Sequence, residues 1–224
     1  MAKPEILERL RDSGALGIIR VQTAQDLVQI AKALHEGGLS CLEITMTTPG
    51  ALRAIEEARE ELPDVLMGAG TVLDAATARQ AILAGAQFLV TPTVELDVIE
   101  TAHRYGVSVI PGAMTPTEIL TCWEAGAGMV KVFPASVLGP NFIRAVHGPL
   151  PQIPLVPPGG SPPTTPGNSS GPVRSWCAPD RGWWTRKRWP REVTRFSPRT
   201  RGGWWKRYAR RVSRDPLSVM GDRR

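Results

Sequence analysis

From residue 15 to residue 160 the chain alternates short apolar, β-branched runs with amphipathic stretches. The runs lie at 16–21, 41–46, 65–72, 88–92, 107–112, 129–134 and 155–160. Between them, 24–35, 51–61, 75–84, 94–104 and 117–125 carry apolar residues at helical spacing, and a further helix is expected around 6–10. Runs bounded by turn residues and separated by helices predict βα units around a parallel sheet. Seven strands predict a (β/α)8 TIM-type barrel that is incomplete after strand 7. An open doubly wound sheet would show a similar alternation, but no G-x-G-x-x-G turn follows the first run to support it.

The pattern fails at residue 160. Beyond it proline and arginine are scattered without period, and neither a strand nor an amphipathic helix can be built over most of the segment. Composition changes at the same point. Residues 1–160 hold 11 Lys+Arg against 17 Asp+Glu, whereas 161–224 hold 16 against 4, so an acidic unit is joined to a basic tail. The tail has six of the seven tryptophans, no isoleucine and a single leucine, Leu217. Two units are expected, a barrel over 1–160 and an Arg/Trp/Pro-rich tail over 161–224. No apolar stretch is long enough to span a membrane, and the first residues carry acids where a signal peptide would be apolar. Cys41, Cys122 and Cys177 show neither metal-ligand spacing nor a disulfide framework. A reducing, cytoplasmic setting is expected.

Several runs end in polar or charged residues: Arg20, Glu43 with Thr45 and Thr47, Thr71, Thr91 and Lys131. In a barrel the C-terminal ends of the strands form the active-site face, so these side chains would converge. Lys131 lies within Met129-Val130-Lys131-Val132-Phe133, where desolvation favours a neutral amine suited to Schiff-base chemistry. A lysine snorkelling from a strand end, or paired with an acid, fits the same local sequence. Glu43, flanked by Leu42 and Ile44, reads either as a proton-transfer group or as the structural partner of Lys131. Arg20 suits a carboxylate or phosphate, or a salt bridge at the strand end. Gly68-Ala69-Gly70-Thr71 permits close backbone approach to a ligand, or is turn chemistry alone. Gly159 and Gly160 lie where barrels often bind phosphate through backbone N–H groups. His35, His103 and His147 read as surface or packing residues.

The strings LEITMTTPGA, MGAGTVL, FLVTPT, VIPGAMTPTE, VKVFPAS and VPPGG, in this order and spacing, resemble the 2-keto-3-deoxy-6-phosphogluconate aldolase family, which includes 4-hydroxy-2-oxoglutarate aldolases. The resemblance covers about residues 5–160. It implies a metal-free class I aldolase on a (β/α)8 barrel, a cytoplasmic homotrimer acting on a small keto acid and releasing pyruvate. It places the Schiff base on Lys131, acid/base catalysis on Glu43, and substrate contacts at Arg20, Thr47, Thr71, Pro92, Gly159 and Gly160. Some members carry arginine where this chain has Thr47, and the family often writes threonine where this chain has Pro158.

The family would continue past residue 160 with a helix, an eighth strand and a final helix. Displacing the tail codons by one nucleotide lets 161–173 and 190–206 be read as strings resembling those missing segments, so a shifted reading frame is expected. The rival reading is an impaired barrel whose basic, Trp-rich tail binds nucleic acid or an anionic surface. Its charge fits, but no helical face and no RNA-binding motif accompany it.

Overall fold

The computed structural model describes residues 3–14, 16–21 and 27–158, together with the backbone of Val173–Trp176. After helix α1 (Lys3–Ser13), strands and helices alternate: β1 (Leu16–Ile19), α2 (Leu27–Glu36), β2 (Cys41–Thr45), α3 (Ala51–Glu61), β3 (Leu66–Gly70), α4 (Ala75–Leu83), β4 (Phe88–Val90) and α5 (Leu96–Arg104). Then follow β5 (Ser108–Ile110), β6 (Gly112–Ala113), α6 (Pro116–Glu124), β7 (Val130–Val132), α7 (Ala135–His147), β8 (Leu155–Val156) and β9 (Val173–Trp176). Strands β1 to β5 pair in parallel in chain order, as do β6, β7 and β8.

The expected fifth strand is split because Pro111 has no N–H to give a ladder. Before it β5 pairs with β4, after it β6 pairs with β7, and the Pro111 carbonyl still accepts from Lys131 N at 2.8 Å. One continuous segment thus joins the two sheets. Helix α7 is absent from the sequence-derived helices because Gly139, with φ 68°, and Pro140 interrupt its apolar pattern. Sharper signals fixed other boundaries. Thr115 and Glu118 form a capping box with Pro116 in the first turn of α6, and Asp74 accepts from Thr77 N at 2.7 Å to start α4.

The strands are buried on both faces, as parallel strands under helices must be. Outward residues such as Leu42, Ile44, Met67, Ala69 and Leu89 pack against Ile30, Leu34, Ile55 and Ile99 of the surrounding helices. Inward residues form a second cluster, with Leu16, Ile18, Cys41, Leu66, Phe88, Val90, Ile110, Met129 and Val156 closed from below by Ile6 and Leu10 of α1. That cluster is the barrel floor. No helix among the described residues is long and apolar enough to cross a membrane.

An eighth strand would lie parallel between β8 and β1. Instead β9 runs antiparallel along β1, with Leu16 opposite Trp176 and Ile19 opposite Val173. A barrel that ends at strand 7 would leave the edge of β1 unpaired, but 173–176, in the segment where few strands are expected, covers it. Backbone groups at a strand edge accept any strand of suitable length whatever its direction, and 173–176 supplies one. Otherwise the proposed frame shift and tail-binding reading concern residues outside the described ones.

Candidate active site

Side chains of a strand alternate between its faces. On β2, Leu42 and Ile44 face the helices, so Cys41, Glu43 and Thr45 face the barrel interior. On the far wall Met129 belongs to the floor, and Lys131 stands one step above it on the same face. Glu43 sits in register with Ile18 and Gly68, and Lys131 with Gly112 and Val156. Only 1% of Glu43 and 7% of Lys131 is exposed, so neither charge is dissolved in bulk water.

Burial pushes the Glu43 carboxyl above its usual range, and the positive charges of Lys131 and Arg20 oppose that shift without cancelling it. Burial likewise pulls Lys131 below its ordinary value; the negative charge of Glu43 opposes the change and the positive charge of Arg20 adds to it. The three groups therefore sense one another electrostatically. Yet Glu43 Oε2 has no hydrogen-bond partner, and no ion pair joins the two residues among those described. The ammonium of Lys131 lies 5.0 Å from the centre of the Phe133 ring. Of the readings open for Lys131, snorkelling into water and a direct acid pair are both absent.

Two glycines of β3 shape the interior. A Cβ on Gly68 would lie 2.3 Å from the Phe88 ring, and one on Gly70 would lie 2.5 Å from Glu43 Oε1. The close approach expected of Gly68-Ala69-Gly70-Thr71 is thus made to the protein's own side chains. Thr71 follows with φ 57°, a left-handed conformation rare for a threonine, and its hydroxyl accepts from Arg20 Nη2 at 3.3 Å. Arg20 is exposed, and no ion pair of it with another described residue is formed.

The other predicted contacts divide. Thr47 is exposed, and its hydroxyl meets that of Thr45 at 3.1 Å; Thr45 also meets buried Thr48 at 3.2 Å. Pro92 follows β4 at the same end, and its backbone carbonyl lies 2.2 Å from where a Cβ on Gly112 would be. Gly159 and Gly160 lie outside the described residues. His35 and His103 face the backbone carbonyls of Leu39 and Gly126, as packing residues do. Sequence reasoning missed Phe133, whose signal was its i+2 spacing from Lys131 on one strand face. Thr91, expected among the converging strand-end residues, is fully buried and accepts from Gly112 N at 3.2 Å. An open groove between α4 and α5, lined by Arg79, Arg104 and Tyr105, contains none of these groups.

The arrangement places a desolvated amine and a protonatable carboxyl on the inner face of the barrel, with an exposed arginine and a hydroxyl at the strand ends. Such a set attacks a carbonyl and moves protons as the adduct forms. Comparison with known proteins points the same way. Residues 6–169 match the family described as KDPG and KHG aldolase. A 2-dehydro-3-deoxy-phosphogluconate aldolase of Treponema pallidum is 41% identical over 157 residues, covering 70% of this chain and 73% of that one. The crystal structure of the Zymomonas mobilis 2-keto-3-deoxy-6-phosphogluconate aldolase with 3-phosphoglycerate superposes with a TM-score of 0.67 at 32% identity, covering 73% of this chain and 78% of that one. The Legionella pneumophila KDPG aldolase, with pyruvate captured as a covalent carbinolamine, gives 0.65 at 29%, covering 70% and 76%.

Proposed function

Because this chain belongs to the KDPG and KHG aldolase family, we propose that its barrel is a class I aldolase in which Lys131 forms the Schiff base and Glu43 carries the protons. The substrates are 2-keto-3-deoxy-6-phosphogluconate, cleaved to pyruvate and glyceraldehyde 3-phosphate, and 4-hydroxy-2-oxoglutarate, cleaved to pyruvate and glyoxylate. The observation that carries the assignment is the shared interior face of Glu43 and Lys131, each buried, shifted toward its neutral form and not bonded to the other.

Neutral Lys131 attacks the C2 carbonyl, and protonated Glu43 delivers a proton as the carbinolamine loses water. The iminium then draws the electrons of the C3–C4 bond as that bond breaks, while Glu43 takes the proton of the C4 hydroxyl. Returning that proton to C3 of the enamine, followed by hydrolysis, frees pyruvate and the amine. Arg20 and Thr71 hold the carboxylate beside the reacting carbon. Thr47 and Pro92 border the cavity, and Gly159 and Gly160 offer backbone N–H groups to the phosphate. No metal or cofactor enters the scheme.

Leu73, Leu96, Met114, Phe133 and Val137 are large apolar side chains left exposed just beyond strand C-termini. Covering them between copies of the chain supports a homotrimer. A cytoplasmic location suits the two buried free thiols, Cys41 and Cys122.

The test is reduction with borohydride in the presence of pyruvate. A pyruvate-derived mass is expected on the peptide containing Lys131. An adduct on another lysine, or none on folded protein, would refute the assignment.

A further inference from the structure

Gly70 faces the carboxylate of Glu43 from the neighbouring strand. A methyl group there would stand 2.5 Å from Oε1, 2.8 Å from Cδ and 3.4 Å from Oε2, and the three nearest atoms it would meet all belong to that side chain. Backbone conformation is no reason for this glycine. It lies in the middle of the sheet, in register with Thr45 and Val90, and its φ is not among the positive ones. Nor is the close approach one of backbone to backbone, as at Gly112. What requires glycine at this position is the volume taken by one carboxylate.

We infer that Gly70 is a positioning residue for the reaction, its missing side chain forming the slot that holds the Glu43 carboxylate inside the barrel. The neighbouring slot, over Gly68, is filled by the Phe88 ring, so the carboxylate has no room to retreat toward the floor. Displaced upward, it would leave the position from which it faces Lys131. Oε2 has no hydrogen bond to hold it, so the space around it bears directly on where this oxygen rests. Because the atoms a methyl group meets are the far end of a flexible side chain, Gly70→Ala moves Glu43 and leaves the barrel wall in place. The inference rests on Glu43 being the proton carrier, and its test separates the two claims.

Five variants are compared with the parent for melting temperature, kcat and KM in the aldolase reaction: Gly70→Ala, Glu43→Gln, their combination, Glu43→Asp, and Gly70→Ala with Glu43→Asp. Gly70→Ala should melt cooperatively near the parent temperature and lose about 10²-fold in kcat, the cost typical of a 1 Å misplacement, with KM little changed. Added to Glu43→Gln it should cause no further loss. Aspartate, one methylene shorter, should recover part of the Gly70→Ala rate, although Glu43→Asp alone, measured alongside, is slow. Parental kcat in Gly70→Ala would overturn the inference, as would an equal further loss in the Glu43→Gln background. Loss of the cooperative melt would overturn it too, since the methyl group would then be meeting something stiffer than a carboxylate. Parental kcat in Glu43→Gln would instead refute the role of Glu43 itself.

Discussion

At the scale of the residue, Lys131 combines two opposing demands. As an ammonium it is penalised by burial; as an amine it must still meet a substrate entering from water. Its ordinary value of 10.5 is lowered chiefly by burial, with Arg20 adding to the effect and Glu43 restraining it. A base with a lowered pKa gains its neutral form at lower pH. The rate of pyruvate adduct formation should therefore rise with pH through a midpoint below 10.5. Single-turnover trapping across a pH series measures this, and a midpoint at the ordinary lysine value would show that burial does not activate the amine. For the acid partner the sign is reversed. Raised by burial, Glu43 keeps its proton at a pH where an exposed glutamate has lost it, which is the state needed to protonate a departing hydroxyl.

At the scale of the element, the junction of β4, β5 and β6 holds the strand beside the lysine. Pro111 ends one ladder, and Gly112 begins the next with the Pro92 carbonyl so close that a Cβ would lie 2.2 Å from its oxygen. Thr91 closes the gap by accepting from Gly112 N, and Gly112 is the register partner of Lys131. Here, unlike at Gly70, an added methyl group meets backbone. Gly112→Ala should therefore destabilise the fold by about 1–3 kcal/mol, the usual range for overpacking. Denaturant melts would show the shift. A melt equal to the parent's would mean that this junction is more compliant than the packing implies.

At the scale of the molecule, the question is closure. A parallel eighth strand pairs with both the first and the seventh, whereas β9 lies antiparallel on β1. A barrel depends on continuous pairing and a consistent stagger around its circumference. The chain translated in the shifted frame after residue 160 is expected to melt at a higher temperature and to turn over phosphorylated substrate faster than the chain as it stands. A thermal melt and an aldolase assay on both make the comparison. Equal melting and equal rates would mean that residues 161–224 work as they are.

The sequence by itself determined the alternation of elements, the interior placement of Glu43 and Lys131, and the change of character at residue 160. These follow from local periodicity: period two assigns a strand residue to a face, and helical spacing marks the segments that cover the sheet. Helix α3 occupies the span its apolar spacing predicts, because nothing long-range competes with that signal. Only the tertiary structure decided what the glycines are for, that Lys131 rests against Phe133 without an ion pair, and that β9 takes the open edge of β1. Each of these depends on groups far apart in the chain. Glu43 and Gly70 belong to different strands, and the space one leaves for the other is a property of register and packing, which no local pattern encodes.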